Sequence, residues 1–384
     1  MKKRIAWVLL FAVLLPTLLF GCRKVTCGNV SEEFGVVFDE EFGNIYIEPT
    51  IEEFNALGFA FGDSVDVEFG DGRKLEDIPY YSGYYVSPGE PLLCGYPGYP
   101  HPVIARNYGS PTWEEFGLTE TSRVTVTLRE CGKYAATEQL YSLAYSDDRS
   151  TYDSDIQFAN FRELRGGNLR AGAFYRSASP CDNQHKRASI TNRLIEEAGI
   201  GFVLNLSDSE AKYAAHKAKP DFDSAYYDGL VEEGKVLFLA MNANYRGSEF
   251  ASIMAEAFKS FAAGALLLMA TRETKDPCLI HCVEGKDRTG FVCTILLALA
   301  DATADEIIDD YMITYANYYK ITKERDPAKY EAVKQNVLDF LYCICEEEKT
   351  TPLSSLNIKE GAENYLRRGG LSDDEIARIE AGIR

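Results

Sequence analysis

The residues from His281 to Gly290, read as His-Cys-Val-Glu-Gly-Lys-Asp-Arg-Thr-Gly, set a thiol (Cys282) and a guanidinium (Arg288) with five residues between them. Leu279 and Ile280 end an apolar run before them, and a second apolar run opens at Phe291. The pattern predicts a buried strand, a tight turn and a buried helix. Amide N–H groups at a helix start point at the turn, and the helix dipole favours an anion there. Arg288 can fork onto two oxygens of a phosphoryl group, which a lysine cannot do. Cys282 sits at the base of this cradle, where a positive field favours the nucleophilic thiolate. Attack on phosphorus would form a phosphocysteine, which water then hydrolyses. The departing oxygen needs a proton.

The same ten residues resemble the active-site signature of the bacterial atypical tyrosine phosphatases that also act on phosphoinositides, within the cysteine phosphatase superfamily. Asn160 to Pro180 is similar to that family's N-terminal signature, with Arg165 as an insertion. Asp305 to Tyr319 and Ala362 to Ile376 resemble its C-terminal helices, so the likeness covers about residues 155 to 384. It implies Cys282 as nucleophile, Arg288 and the backbone of Val283, Glu284, Gly285 and Lys286 around the phosphoryl group, and Asp287 as the acid. The stretch Phe238 to Phe250 supports that last assignment, because it contains no Asp and its acid is Glu249. Asp221 and Asp223 are the reserve acids. Lys286 is expected at the rim, holding a second phosphate such as one on an inositol ring, or else paired with Asp287. Glu284 is expected to point outward. His281 should bond to backbone and orient the loop. Thr289 should give its hydroxyl to the sulfur, or cap the helix. Arg176 matches a family position near the phosphate, or pairs with a buried acid. Asp208 reads as a turn former at a strand end. Cys and His spacing does not suggest zinc, and thiolate chemistry needs neither metal nor cofactor.

The surrounding elements alternate between apolar strands and helical segments over residues 154–384, which predicts an α/β unit with a mainly parallel sheet flanked by helices. Residues 36–135 differ: Asn44–Pro49, Ser64–Phe69 and Arg123–Leu128 alternate as half-buried strands, and Gly70–Arg73 reads as a hairpin turn. That half is expected to be a small all-β barrel-like domain. It resembles the C-terminal β-barrel of S-adenosylmethionine hydroxide adenosyltransferases, without the family's catalytic domain. The resemblance implies a purine or other small-ligand surface, with Asn44 and Asn107 as contacts, or a spacer or docking module; its tyrosines suit sugars as well. Residues 136–153 read as a junction.

A basic start (Lys2, Lys3, Arg4) and an apolar run to Phe20 describe a secretory signal over residues 1–21. The end of that run resembles a bacterial lipobox, which implies lipidation at Cys22 and a tether over 22–35; an uncleaved membrane anchor is the alternative. Export permits disulfides, with Cys94 and Cys131 as a candidate pair among ten cysteines. The net charge of -19 argues against nucleic acid as a partner. The expected function is hydrolysis of phosphate monoesters on a phosphorylated protein, with phosphoinositide or inositol phosphate as the alternative substrate. The rival readings are a surface ligand-binding lipoprotein whose phosphatase domain is inactive or secondary, and sulfur transfer on the Cys loop.

Overall fold

The computed structural model describes residues 30–241 and 250–384; Cys22 and Glu249 lie outside them. The first unit is a closed barrel of seven strands: β1 (Ser31–Phe38), β2 (Ile45–Ile47), β3 (Ser64–Phe69), β4 (Lys74–Tyr81), β5 (Pro91–Cys94), β6 (Val103–Arg106) and β7 (Arg123–Glu130). Their order around the barrel is β1-β2-β6-β5-β4-β3-β7, and β7 closes onto β1. The alternating apolar residues fill the inside. Val65, Val67 and Phe69 of β3 and Val124, Val126 and Leu128 of β7 are all buried, and Val67 pairs with Val126 in register. The predicted Gly70–Arg73 turn joins β3 to β4, with Gly72 at φ +84°. Two short helices, α1 (Ile51–Ala56) and α2 (Thr112–Glu115), sit in barrel loops. The barrel begins at Ser31, inside the segment expected to be tether. Cys94 is a free, buried thiol while Cys131 is disulfide-bonded, so the two are not a pair.

The expected junction is itself structured. It contains α3 (Ala135–Tyr141), and its Leu140 and Leu143 pack on the core of the second unit.

The second unit has a five-stranded sheet in the order β11-β10-β12-β9-β8. These strands are β8 (Arg162–Glu163), β9 (Phe174–Ser177), β10 (Phe202–Asn205), β11 (Val236–Phe238) and β12 (Cys278–His281). β9 to β12 run parallel and β8 is an antiparallel edge. Helices cover both faces: α4 (Asp155–Phe158), α5 (Ala188–Glu197), α6 (Glu210–Lys217), α7 (Ala225–Glu232), α8 (Phe250–Thr271), α9 (Asp287–Leu299), α10 (Ala304–Tyr319), α11 (Pro327–Cys345), α12 (Ile358–Arg368) and α13 (Asp373–Ile383). Val203 and Leu279 face the cluster formed with α5 and α7, while Leu204 and Ile280 face the larger cluster with α8, α9 and α11. With both faces buried, these strands are apolar throughout. β9 carries Arg176 and Ser177 and gives no strand pattern in sequence, yet both residues are buried. From Thr289 to Leu299, α9 is buried on every side, as a central core helix should be. Among the described residues, no helix is long and apolar enough to cross a membrane.

Candidate active site

β12 is the middle strand, and its C-terminal end delivers Cys282 to the edge of the sheet, where α/β folds place their ligands. Residues 282–286 then turn into α9. Gly285 stands at φ +66°, and a Cβ there would lie 2.1 Å from the Ser177 carbonyl oxygen, so only glycine fits.

The loop's carbonyls all point outward, and each is met. Cys282 O accepts from His281 Nδ1 at 3.2 Å, Val283 O from the Ser179 amide at 2.9 Å, and Glu284 O from the Tyr318 hydroxyl at 2.7 Å. Gly285 O accepts from Arg176 Nη2 at 2.9 Å and Asn160 Nδ2 at 3.2 Å, and Lys286 O from the Gly290 amide at 2.7 Å. The amides of Val283, Gly285, Lys286, Asp287 and Arg288 have no acceptor among the described residues. Backbone donors rarely go unpaired when buried, so a ring of free N–H groups beside a buried thiol is a cradle for an anion. Cys282 is 3% exposed at its base.

The side chains divide into those that face the cradle and those that prop it. Arg288 is half-buried and its Nη1 donates to the Met241 carbonyl at 2.9 Å. Thr289 is fully buried, and its hydroxyl has no partner among the described residues. Asp287, one-third exposed, opens α9, where a carboxylate suits the helix start. His281 is buried; its Nε2 lies 3.3 Å from the Tyr227 hydroxyl, which in turn accepts from Asn205. Since a carbonyl can only accept, Nδ1 carries the proton and Nε2 takes the tyrosine hydrogen. Burial lowers the His281 pKa to about 4, against the opposing pull of Asp208, so the ring is neutral and its contact with the loop is to backbone.

Two expected placements differ, those of Lys286 and Glu284, and Arg176 takes the second of its two expected roles, pairing with a buried acid. Arg176 does not line the cradle: it is fully buried, ion-paired with Asp310, and bonded to the loop from behind. Asp310 also pairs with Arg162 at 2.9 Å; burial alone would raise its pKa, and the two guanidiniums hold it down. Lys286 is not at the rim. Its ammonium is buried, 2.9 Å from Glu284 and 3.0 Å from the Tyr319 hydroxyl, with Asp287 at 3.8 Å. Burial opposes its charge, but Asp287 and Glu284 outweigh that and hold its pKa well above the usual lysine value. Glu284 turns inward, bridging Lys286 and the Tyr145 hydroxyl, the latter at 2.5 Å. The reserve acids Asp221 and Asp223 lie exposed between α6 and α7. Asp208 is buried in the turn after β10, bonded to Asn205 and Lys212.

Other thiols of the region are not alternatives. Burial pushes both Cys278 and Cys293 up to about 12, and they serve as packing. Among the described residues no group of His, Cys, Asp and Glu is placed to hold a metal. Sequence reasoning missed Asn160, Asp310, Tyr318 and Tyr145. Asn160 adopts φ +50° to reach the loop, and its side chain also bonds Thr314 and Arg162.

No curated protein matches the sequence. One solved structure, an uncharacterized conserved protein from Thermotoga maritima, is 22% identical over 24% of this chain and 35% of its own, with a TM-score of 0.22. The match thus spans about a third of that protein. The model of the tyrosine phosphatase family matches residues 156–383, more than half of the chain, with the whole of the cradle and the sheet that presents it. The chain belongs to the tyrosine phosphatase family.

Proposed function

We propose that the protein hydrolyses phosphate monoesters through a phosphocysteine, with aryl phosphates of the phosphotyrosine type as substrate. The observation that carries this reading is the loop whose five carbonyls are each met, while the amides of Val283, Gly285, Lys286, Asp287 and Arg288 beside Cys282 have no acceptor among the described residues. Such preorganised donors stabilise charge on the transferring phosphoryl group without reorganising during the reaction. The Cys282 thiolate attacks phosphorus and forms the S–P bond as the P–O bond to the leaving group breaks. Arg288 forks onto two equatorial oxygens, and Asp287 gives its proton to the leaving oxygen. Water then attacks the phosphocysteine, Asp287 takes the water's proton, and the Thr289 hydroxyl bonds to the departing sulfur. The burial of Lys286 against Glu284 and Tyr319 removes the cation that would have anchored a second phosphate, which favours phosphotyrosine over an inositol ring.

The test is phosphate release by the purified protein from an aryl phosphate, then from phosphotyrosine peptides against phosphoinositides. The Cys282→Ser variant should lose activity by more than about a thousandfold. A serine variant as active as the parent would remove the mechanism; preference for phosphoinositides would remove the substrate assignment alone.

The protein is further read as exported and anchored through a lipid on Cys22. The disulfide at Cys131 supports export, because such bonds persist in oxidising compartments. Cys22→Ala should release the protein from membranes; unchanged fractionation would sink the lipid anchor.

A further inference from the structure

The barrel carries a second concave site, away from the loop. A groove of about 710 Å³ opens between the segments that follow β4, β5 and β6. Its walls are aromatic and come from separate loops: Phe42, Tyr84, Tyr96, Tyr99 and Tyr108. Three of these rings face solvent, with Tyr108 76%, Phe42 53% and Tyr96 45% exposed. A cluster of exposed aromatics around one cleft marks a binding surface rather than ordinary loop packing. Tyr108 adds a second sign. Its backbone stands at φ +48°, a conformation that costs a bulky residue energy, and its ring lies out in water.

The polar lining defines the ligand's chemistry. Asn44 and Asn107 are nine-tenths buried at the groove. Each amide nitrogen gives one of its two hydrogens to a neighbouring loop, Asn44 to Asp39 at 3.3 Å and Asn107 to the Val86 carbonyl at 2.6 Å. Neither side-chain oxygen takes a hydrogen bond among the described residues, so the groove offers acceptors beside tyrosine hydroxyls, which both give and accept. The charged lining residue, Arg106, is held by two bonds of 2.7 Å to Glu115 and by the Gly89 carbonyl at 3.1 Å. An anionic ligand would find no free cation there. A flat base would want two parallel walls. Here Tyr84 and Tyr96 meet at 47°, and Tyr96 and Tyr99 also at 47°, which makes a staggered platform. Puckered rings, with C–H groups on one face and hydroxyls around the edge, suit such a platform and such acceptors.

We propose that this groove binds a neutral saccharide, with Tyr96 and Tyr108 as the stacking rings and Asn44 and Asn107 accepting from its hydroxyls. The experiment is calorimetric titration of the whole protein with neutral hexasaccharides of glucose and of N-acetylglucosamine, with adenosine in parallel. At least one saccharide should bind. Tyr96→Ala and Tyr108→Gly should each weaken it between about threefold and tenfold, the range expected for one ring contact. Glycine accepts the backbone angle at position 108, so that variant keeps the fold, checked by its circular dichroism. Aryl phosphate hydrolysis should be unchanged in both. Absence of saccharide binding at millimolar concentration, binding that both variants leave intact, or binding of adenosine alone would each overturn the proposal.

Discussion

The two concave regions of this molecule are built in opposite ways. The cradle after β12 works with backbone: five of its amides have no acceptor among the described residues, and side chains such as Asn160, Arg176 and Tyr318 hold the carbonyls. The barrel groove works with side chains: its backbone is spent on the barrel, and rings from separate loops make the surface. A backbone site is rigid and depends on what lies behind it. A side-chain site tolerates change one residue at a time. Mutations that spare the chemistry should therefore be severe around the loop and graded around the groove.

The largest expected effect is at Arg176, which never meets substrate. Arg176→Met leaves Asp310 buried with Arg162 alone and leaves the Gly285 carbonyl to Asn160 alone. Loss of one partner from a buried pair costs about 3–5 kcal/mol, read by denaturant unfolding, and phosphate release should fall with it. A parent-like midpoint would mean the loop does not rest on that pair. Gly285→Ala comes next. Its Cβ would strike Ser177 and its backbone would be strained, for roughly 3 kcal/mol of stability and loss of phosphate release. Tyr108→Gly, by contrast, should leave melting and hydrolysis as they are; equal damage from both would erase the distinction between the two sites.

Asp287→Asn should slow alkyl phosphates about a hundredfold and nitrophenyl phosphate much less, since only poor leaving groups need the proton. Equal slowing of both would assign the acid elsewhere. The smallest effect concerns pH. His281 has a folded pKa of about 4 against an ordinary 6.5, so the unfolded chain binds the proton first as pH falls. Its contribution is complete above pH 6.5, declines below it and is gone below about pH 4, with roughly 2 kcal/mol already lost near pH 5. His281→Gln should flatten that part of the stability profile; an unchanged slope would show that the ring titrates alike in the folded and unfolded chain.

Much of this is legible in the chain itself. Alternation marks β3 and β7, and the apolar runs on either side of the Cys282 loop mark β12 and α9. Patterns of this kind report a residue's relation to water, which is local. The props of the loop are not local. Asp310 and Tyr318 lie on an amphipathic helix whose sequence says only that one face is buried. Lys286 shows the limit most clearly, because a lysine in a Gly-rich turn reads as exposed, and only the arrival of Tyr319 and Glu284 makes a home for a buried ammonium. β9 is invisible for the same reason: its Arg176 is buried by a partner far along the chain. The pairing of Cys131 is a fact of distance, which spacing does not encode.

The contact between Tyr145 and Glu284 bears on how the two halves should be separated at the bench. The family match starts at residue 156, which invites a shortened protein beginning there. Such a cut would discard Tyr145, Asp147 and Tyr152 together. Arg187 lies over the Tyr145 and Tyr152 rings and pairs with Asp147, while Tyr145 also stacks on Tyr318, the residue that holds the Glu284 carbonyl. The excised catalytic half would then lack part of its own wall, and weak turnover by it would reflect the cut rather than the enzyme. A start ahead of Ala135, which keeps α3 and everything after it, is the safer boundary.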